Sequence, residues 1–431
     1  MPDTLPEWLA YIERQHPRAI EMGLDRVREV AARMGLGRPA RRVVTVAGTN
    51  GKGSTVAFIE AIARAAGLRV GAYTSPHLLD YRERVRIDGA DAGDAALAQA
   101  LAAVEAARNG TPLTYFEFGT LAALRLFERA GLDLALLEVG LGGRLDATNL
   151  VDADVAVITT VDLDHQEWLG PDREAIGLEK AGIVRAWKPV VLGEDDPPAS
   201  VLRHAYALGA PAIRAGSDFF FEPLAAGGWR WRELGHVLEL PSPALDAPVQ
   251  LRNAATAIAA LHALDIELPD EAVARGVAAA RLPGRLQALR HHGVEVRVDV
   301  GHNPQAAREV AAWLRANRVP GRVHVLYAPL ADKDVAGVVQ ALAGEVDQWW
   351  LAGTPGAGAR GLAVADLAAR LHDRAVARGA RFDDPGVALD AVLAAAVAGD
   401  RVLVFGSFHA AELALRRLRG ADSEAGGGRG V

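Results

Sequence analysis

The sequence predicts an α/β protein made of two doubly wound domains, and three observations lead to this prediction. The chain has 431 residues, whereas a single hydrophobic core rarely grows beyond about 250–300 residues. Short β-branched runs alternate with longer stretches of helical spacing, which is the pattern of parallel βαβ units. A Pro283-Gly284 pair interrupts this alternation and separates two series. We therefore expect domains over 1–284 and 285–420, followed by a disordered tail over 421–431.

Five apolar runs in the first series predict buried parallel strands, at 43–46, 70–74, 132–139, 155–161 and 190–192. Helical spacing is found among them, near 54–66, 95–108, 118–130, 174–185 and 252–264. The segment 217–241 carries aromatic runs around a Gly-Gly pair and predicts an antiparallel hairpin or small edge sheet. Its aromatic residues could form a platform for stacking bases, but packing onto the domain is the favoured interpretation.

The second series follows the Pro-Gly break and repeats the alternation. Strands are expected near 294–300, 323–327, 347–352 and 401–405. Helices are expected near 304–316, 334–343, 364–378, 386–398 and 409–418. The stretch 353–361 is rich in Gly, Ala and Pro and predicts a flexible loop.

Composition limits the class of protein. Half of the residues are apolar and 23% are charged, as in globular proteins. The net charge of −7 disfavours general binding to nucleic acid or anionic membranes. The absence of cysteine excludes disulfides, cysteine nucleophiles and thiolate metal sites. No apolar run reaches the ~20 residues of a membrane span, and the first residues do not resemble a secretion signal. We expect a soluble cytoplasmic monomer without nucleic-acid or membrane partners.

The strongest local motif lies between the first predicted strand and the next helix, where Gly48–Thr55 reads GTNGKGST. Its glycines permit backbone conformations in which successive N–H groups point inward, and the helix N-terminus and Lys52 add positive charge. The spacing departs from the usual phosphate loop, since Gly53 intervenes before the hydroxyls. A plain glycine-rich turn is the alternative. The phosphate-binding candidates are Asn50, Gly51, Lys52, Gly53, Ser54 and Thr55.

Two polar side chains follow neighbouring predicted strands. Glu138 ends the run 132–139, and His165 follows the run 155–161. Ligands of open α/β sheets bind beyond the carboxyl ends of the strands, and a carboxylate is a hard ligand suited to Mg²⁺. An imidazole suits softer metals, so some tolerance of Mn²⁺ is expected. A capping or salt-bridged Glu138 and a surface His165 are the alternatives.

The loop at 48–55 resembles that of folylpolyglutamate synthases, which are ATP-dependent amide ligases of the Mur ligase superfamily. Ordered motifs extend this resemblance over almost the whole chain, at 74–78, 138–149, 179–182, 282–285, 299–304 and 332–334. The segment Ile20–Val27 (IEMGLDRV) is similar to that of the bifunctional dihydrofolate synthase/folylpolyglutamate synthases. The resemblance implies an N-terminal P-loop ATPase-type domain and a smaller, Rossmann-like C-terminal domain.

Several site residues are implied by this resemblance alone. Ser75 joins Glu138 and His165 as a ligand of Mg²⁺, across two ions. Lys180 carries a carbamate formed from CO₂ in Mur-type ligases, although by itself it would be a solvated helix lysine. With Lys52, Glu138 and His165 it completes the expected catalytic set.

ATP is expected between the two domains, whose closure would exclude water. The remaining ATP contacts implied are Asn253, Arg285, Asp299 and His302. From its position, Asn253 could equally be a helix N-cap.

Substrate contacts are expected in two segments. The pterin-binding candidates implied by the resemblance are Thr114, Tyr115, Phe116, Glu117, Leu145, Asp146 and Ala147. A helix cap with core aromatics is the alternative for 114–117. Three arginines, Arg82, Arg84 and Arg86, alternate in a possible strand and would share one face. A solvated charged face is favoured there over attraction of an acidic substrate.

The expected function is an ATP-dependent ligase that joins L-glutamate to 7,8-dihydropteroate and adds γ-linked glutamates to reduced folates through an acyl phosphate. The N-terminal segment and the 114–117 motif favour both activities over elongation alone. The alternatives are a folylpolyglutamate synthase only, another Mur-type ligase such as a muramyl-peptide ligase, and an NTP-driven switch.

Overall fold

The computed structural model describes residues 2–16, 18, 20–372 and 375–426. The chain divides into two compact units. The first comprises Met1–Ala244 and Gln250–Arg281, and the second comprises Leu245–Val249 and Leu282–Val431. The division after Arg281 falls close to the predicted break at 284. The short stretch Leu245–Val249 also belongs with the second unit, which no sequence pattern predicts.

An eight-stranded sheet forms the core of the first unit. Its strands are β1 (Ala40–Ala47), β2 (Val70–Tyr73), β3 (Val85–Ile87), β4 (Ala90–Asp91), β5 (Leu132–Glu138), β6 (Val155–Ile158), β7 (Val190–Leu192) and β8 (Ala212–Arg214). They are ordered β4-β3-β2-β5-β1-β6-β7-β8, and all pairs are parallel except those of β3 and β4 at one edge. The five predicted strands and the doubly wound arrangement are confirmed.

The helices of this part of the chain are α1 (Leu5–Ile12), α2 (Asp25–Met34), α3 (Lys52–Ala65), α4 (Asp94–Arg108), α5 (Tyr115–Ala130), α6 (Gln166–Leu169), α7 (Arg173–Ala181), α8 (Ala199–Ala207), α9 (Val249–His262) and α10 (Asp270–Ala279). Short 3-10 helices lie at Tyr81–Arg84 and Ala147–Leu150. The local sequence explains α5. Thr114 and Glu117 form a capping box at its start, and Gly131 adopts the left-handed conformation at its end.

The aromatic segment of the first unit forms a separate three-stranded antiparallel sheet, β9 (Phe219–Pro223), β10 (Trp229–Glu233) and β11 (His236–Leu240). Trp229 and Trp231 are fully buried. Their indole N–H groups donate to the carbonyls of Pro241 and Ala255. The predicted antiparallel sheet and its packing role are therefore confirmed, and these two rings do not form a platform for bases.

The second unit contains a six-stranded sheet. Its strands are β12 (Gln287–His291), β13 (Val294–Val298), β14 (Val323–Tyr327), β15 (Gln348–Ala352), β16 (Ala380–Phe382) and β17 (Arg401–Phe405), and the order across the sheet is β12-β13-β17-β14-β15-β16. Its helices are α11 (Pro304–Ala316), α12 (Val335–Leu342), α13 (Val364–Arg370), α14 (Pro385–Ala395) and α15 (Phe408–Gly426). All strand pairs except β12–β13 are parallel, as in a Rossmann-like sheet.

Several boundaries in the second unit differ from the predictions. The helix expected over 364–378 ends at Arg370, and a 3-10 helix follows at Ala375–Arg378. The loop expected over 353–361 contains a 3-10 helix at Pro355–Arg360. The start of the predicted tail is part of α15, which continues to Gly426, and 427–431 lie outside the described residues. No helix in the described part of the chain is long and apolar enough to span a membrane.

The prediction that Arg82, Arg84 and Arg86 share one strand face is wrong. The first two lie in the 3-10 helix Tyr81–Arg84, and Arg86 lies in β3. The reason is a capping box that starts a helical turn at this point. The side chain of Asp80 accepts the backbone N–H of Glu83, and the side chain of Glu83 accepts the backbone N–H of Asp80.

The expectation of a solvated arginine face is wrong as well. Arg84 is buried, and its Nε lies 2.8 Å from Nδ1 of His77. The side chain of Arg86 is 15% exposed and donates to Glu60 of α3 at 2.7 Å. Both guanidinium groups therefore hold elements of the first unit together.

Candidate active site

Four neighbouring strands of the first unit end at one edge of the sheet. Strand β1 lies between β5 and β6, and β2 lies on the far side of β5. In the register, Val46 is opposite Glu138, and Ala47 is opposite Ile158. The residues that follow these parallel strands are therefore neighbours in space. The residues that lie at this edge are the loop at 48–55, Ser75, Glu138 and the loop that carries His165.

The loop between β1 and α3 is held from the end of β6. Thr49 donates its backbone N–H to the carbonyl of Thr160 at 2.7 Å, and its hydroxyl donates to the carbonyl of Asp162 at 3.0 Å. The hydroxyl of Thr159 donates to the carbonyl of Asn50 at 2.6 Å. These bonds fix the conformation of the loop.

Two glycines are required by this close fit. Gly51 has a φ of 87°, and a Cβ there would lie 2.6 Å from Oδ1 of Asn253. A Cβ on Gly48 would lie 1.8 Å from the hydroxyl oxygen of Thr159. Gly51 is also the N-cap of α3, so the first backbone N–H groups of this helix are available to phosphate oxygens.

Lys52 is the first residue of α3, and its ammonium group bends back over the loop. Its Nζ donates to the carbonyls of Gly48 at 2.9 Å and Thr49 at 3.3 Å. A positive charge is thereby placed on the loop that the helix N-terminus already makes electropositive. This is the electrostatic arrangement that a triphosphate requires.

Glu138 is 4% exposed at the end of β5. Its Oε2 accepts the backbone N–H of Ser75 at 3.3 Å, which places the serine beside the carboxylate. A buried carboxylate costs free energy unless a cation or several donors face it. The structure therefore brings the two predicted oxygen ligands together.

His165 lies in the loop after β6 and is the N-cap of the short helix α6, with a φ of 52°. Its backbone N–H donates to Asp164 Oδ1 at 2.9 Å, and its Nε2 lies 3.9 Å from the same oxygen. Asp164 thus holds the backbone of His165 by a hydrogen bond, and its carboxylate lies near the ring. The left-handed backbone of a non-glycine residue at this edge marks a conformation that the surrounding contacts impose.

Lys180 is a buried lysine on α7, with 3% of its surface exposed. Burial, with the charge of Lys52 second, lowers the pKa of its ammonium group to about 7, and Asp164 and Glu194 oppose this effect. The interpretation as a solvated helix lysine is therefore wrong. This shift raises the share of neutral amine at neutral pH, and a neutral amine is the form that reacts with CO₂.

The residues at this edge fit a divalent cation. Oγ1 of Thr55 is buried and has no hydrogen-bond partner among the described residues, so a polar atom is left for a ligand to satisfy. The carboxylate of Glu138 and the hydroxyl of Ser75 are hard oxygen donors of the kind that Mg²⁺ and Mn²⁺ prefer. An imidazole at His165 favours Mn²⁺ relative to an all-oxygen set.

The first pterin candidate, 114–117, begins α5. The cap interpretation is confirmed, because the hydroxyl of Thr114 accepts from Glu117 N at 3.3 Å and the carboxylate of Glu117 accepts from Thr114 N at 2.7 Å. Tyr115 packs edge-on against Tyr81. Phe116 lies against Gly140, whose added Cβ would be 2.8 Å from its ring.

The second candidate, Leu145–Ala147, lies in the loop after β5. Asp146 is buried, and its Oδ2 accepts the N–H groups of Gly140 at 3.0 Å and Leu141 at 2.9 Å. Burial raises the pKa of this carboxyl, and hydrogen bonds from Thr148 and from the loop lower it. Asp146 therefore shapes the loop that leads from Glu138 to Ala147.

The N-terminal segment joins the two pterin candidates. Gly23 donates its N–H to the carbonyl of Leu145 at 3.3 Å. Arg26 donates to Glu117 at 3.0 Å and to Glu21 at 2.8 Å. Residues 21–26, 114–117 and 140–147 thus form one surface at the edge that carries Glu138.

Asn253 is the fifth residue of α9, which begins at Val249, so the N-cap interpretation is wrong. Its Oδ1 points at Gly51, and its Nδ2 donates to Gln250 at 2.9 Å. The structure thus places this side chain against the phosphate loop.

The remaining nucleotide candidates lie together in the second unit. Asp299 follows β13 and accepts the N–H groups of Leu286 at 2.8 Å and Gly301 at 2.7 Å. Burial raises the pKa of its carboxyl, and the guanidinium of Arg285 lowers it. Nδ1 of His302 donates to the carbonyl oxygen of Val300, 3.0 Å away.

Sequence reasoning missed residues that support the site. Thr159 and Thr160 hold the phosphate loop, whereas the apolar run predicts them only as part of the strand over 155–161. Two hydroxyls at the end of a strand are the signal that could have found them. Glu194 accepts from the N–H of Val161 and from Arg173, both at 3.1 Å. Burial raises the pKa of Glu194 to about 7. No local motif marks Glu194, because its partners lie on other elements.

Comparison with known proteins agrees with this geometry. Residues 46–218 match the Mur ligase middle domain, and residues 284–408 match the Mur ligase, glutamate ligase domain. The chain therefore has the domain composition of a Mur-type ligase.

Proteins that are similar to this chain over nearly their whole length identify its family within the Mur-type ligases. The chain is 46% identical over 406 residues to the dihydrofolate synthase/folylpolyglutamate synthase of Escherichia coli (strain K12), covering 94% of this chain and 93% of the relative. The E. coli FolC structure in complex with DHPP and ADP has a TM-score of 0.92 at 44% identity, covering 98% of this chain and all of the other. A bifunctional folylpolyglutamate synthase/dihydrofolate synthase with Mn, AMPPNP and L-glutamate bound has a TM-score of 0.89 at 45% identity, covering 97% and 98%. The chain belongs to the dihydrofolate synthase/folylpolyglutamate synthase family.

Proposed function

We propose that this protein is an ATP-dependent carboxylate–amine ligase with two activities. It joins L-glutamate to 7,8-dihydropteroate to give dihydrofolate, and it extends reduced folates by γ-linked glutamates. One observation carries the proposal. A phosphate loop, a buried metal-type carboxylate and the surface formed by 21–26, 114–117 and 140–147 meet at one sheet edge. The similar structures that contain DHPP, ADP, AMPPNP and L-glutamate support the same substrates.

The chemistry needs an activated acid, because a free carboxylate offers no leaving group to an amine. Transfer of the γ-phosphoryl group of ATP to the substrate carboxylate gives an acyl phosphate, and the amine of L-glutamate then displaces phosphate. Lys52 and the first N–H groups of α3 bind the triphosphate. Holding the reactants in line can supply roughly 7–11 kcal/mol of the barrier.

Ser75, Glu138 and His165 would hold the divalent cations, two of them in our proposal. Bound Mg²⁺ or Mn²⁺ would neutralise charge on the triphosphate and on the substrate carboxylate. Asn253 closes the loop on one side, and we propose that it contacts the nucleotide. Arg285, Asp299 and His302 are proposed as the contributions of the second unit.

Lys180 is proposed to carry a carbamate. Its neutral amine attacks CO₂, forms an N–C bond and releases one proton, so an uncharged amine becomes a carbamate anion at the buried edge. The low pKa that burial imposes supports this, since an ammonium group cannot react. Incubation with ¹³C-bicarbonate should give one carbamate ¹³C signal in the wild type and none in Lys180→Ala. The same signal in both proteins would refute the assignment.

The ligase proposal is tested with ATP, Mg²⁺, dihydropteroate and L-glutamate, with ADP and dihydrofolate as products. Tetrahydrofolate in a second reaction tests elongation. Both products are expected. Elongation without dihydrofolate formation would reduce the function to folylpolyglutamate synthesis. Turnover with UDP-muramyl substrates alone would indicate a wall-peptide ligase, and ATP hydrolysis independent of both acceptors would indicate a switch.

A further inference from the structure

Three potential metal ligands come together in the first unit at a place the ligase reaction does not use. They are Glu233, His236 and His262, whose ligand atoms all lie within 4.8 Å of one another. His262 is nine residues after Asn253 on α9, a distance of about 13–14 Å along the helix axis. The cluster therefore lies well away from the phosphate loop.

Local structure explains why these side chains meet. Glu233 ends β10, His236 begins β11, and the two are directly paired across the turn Leu234-Gly235. Directly opposed residues of an antiparallel pair project from the same face of the sheet. His262 is the last residue of α9, and its Nδ1 lies 2.7 Å from Oε1 of Glu233. A hairpin and a helix end thus supply the three groups.

The indole ring of Trp231 packs beneath the two histidines of the cluster. Trp231 is fully buried and is held by its bond to Ala255 of α9. It contacts the rings of His262 and His236 edge-on, at 5.0 Å and 6.1 Å between centroids. The two imidazoles lie parallel, 5.2 Å apart. The side chains of His262, Glu233 and His236 are 15%, 29% and 34% exposed, so an ion could enter from solvent.

A second carboxylate, that of Asp270, supports the ring of His236. Oδ1 of Asp270, the first residue of α10, lies 3.3 Å from Nε2 of His236. Histidine ligands usually give their second ring nitrogen to such a carboxylate, which fixes the tautomer and the ring orientation. Asp270 can therefore orient His236 with Nδ1 as the ligand atom.

The donor set indicates the kind of ion. Two imidazoles and one carboxylate suit Zn²⁺, Co²⁺ or Ni²⁺, whereas Mg²⁺ prefers oxygen ligands alone. With bonds of about 2.0–2.1 Å, two ligand atoms on a tetrahedral ion lie about 3.4 Å apart. One pair of ligand atoms lies 2.7 Å apart and no pair is more than 4.8 Å apart. The spacing of each pair therefore has to change by at most about 1.4 Å, and the parallel rings must rotate, which partly exposed side chains can do.

We propose that Glu233, His236 and His262 bind one borderline transition-metal dication of the Zn²⁺ type, with Asp270 as a positioning residue. The bound ion would cross-link the β10–β11 hairpin to the C-terminal end of α9. It is separate from the divalent cations of the ligase reaction and takes no part in that chemistry.

The test is calorimetric titration of the full chain with Zn²⁺ in the presence of excess Mg²⁺. The wild type should bind one more Zn²⁺ than His236→Gln, which removes an accessible ligand and leaves Trp231 in place. Asp270→Asn should keep the site but weaken it by about 10–100-fold, the usual effect of losing a ligand's carboxylate partner. Replacing Zn²⁺ by Co²⁺ should give visible absorption that His236→Gln lacks.

The matched control is His204→Gln, which removes a histidine of α8 in the same unit and outside the cluster. It should bind Zn²⁺ like the wild type, and ligase activity should be equal in all variants at saturating Mg²⁺. If His236→Gln binds the same number of ions with less than a tenfold loss of affinity, the proposal is overturned. The cluster would then be a pair of histidine–carboxylate contacts without a metal function.

Discussion

Replacing Lys180 by methionine should make the protein more stable and inactive. Burial and the charge of Lys52 lower the pKa of Lys180 from 10.5 to about 7. Each unit of pKa shift corresponds to about 1.4 kcal/mol, so the shift means that the buried ammonium charge destabilises the folded state by about 5 kcal/mol. This value is an upper bound for a buried charge. In CO₂-free buffer at about pH 6 we expect Lys180→Met to recover several kcal/mol of unfolding free energy. Ligation should be lost because methionine cannot hold a carbamate.

The sign of the pH dependence follows from the direction of the shift. Below about pH 7 Lys180 is protonated in both states, so the full cost of the buried charge is present. Between about pH 7 and 10.5 the unfolded chain binds more protons than the folded one, so wild-type stability rises with pH. The advantage of the variant should shrink over this range.

The assay is urea unfolding followed by circular dichroism, at about pH 6 and again at about pH 9. Lys188→Met is the control, because that lysine side chain is 51% exposed and should change stability little at either pH. A Lys180→Met protein that is less stable than the wild type, or whose advantage does not fall as the pH rises, would refute the reasoning.

Three further predictions follow from the same structure. Lys52→Ala and Glu138→Ala should each abolish ADP formation with an unchanged circular dichroism spectrum, and near-normal turnover in either would remove that residue's role. Gly51→Ala should weaken ADP binding at least tenfold by calorimetry, because its Cβ would lie 2.6 Å from a neighbouring oxygen at a φ of 87°; unchanged affinity would contradict the tight loop. Arg86→Met should lower unfolding free energy by about 3–5 kcal/mol, because it leaves Glu60 buried and unpaired; a loss below about 1 kcal/mol would contradict this.

The parallel strands were predictable because each is a continuous apolar run that the sheet buries on both faces. Strand β5 shows this well, since all of its residues except Asp133 are buried. The phosphate loop was predictable for a related reason. Its glycines and lysine lie between a strand and a helix. All of the residues that a phosphate requires are therefore contiguous in the sequence, where the motif can be recognised.

The conformation of the arginine segment was predicted wrongly because two local signals compete there. Arg82, Arg84 and Arg86 have the alternation of a strand, but the capping box at Asp80 and Glu83 starts a turn first. Local hydrogen bonds there outweigh a weak period-2 pattern.

Features of the candidate site that depend on distant contacts could not be predicted. The environment of Lys180 could not be read from its own helix, because its burial depends on packing against other elements. The convergence of residues 21–26 with 114–117 and 140–147 likewise depends on the strand order, which the sequence does not state.

The most direct test of the central claim follows oxygen from the acid to phosphate. Dihydropteroate labelled with ¹⁸O in its carboxylate is incubated with ATP, L-glutamate and Mg²⁺, and the released inorganic phosphate is analysed by mass spectrometry. Activation as an acyl phosphate predicts one ¹⁸O atom in each phosphate released with dihydrofolate. Dihydrofolate that accumulates while the phosphate stays unlabelled would contradict the mechanism.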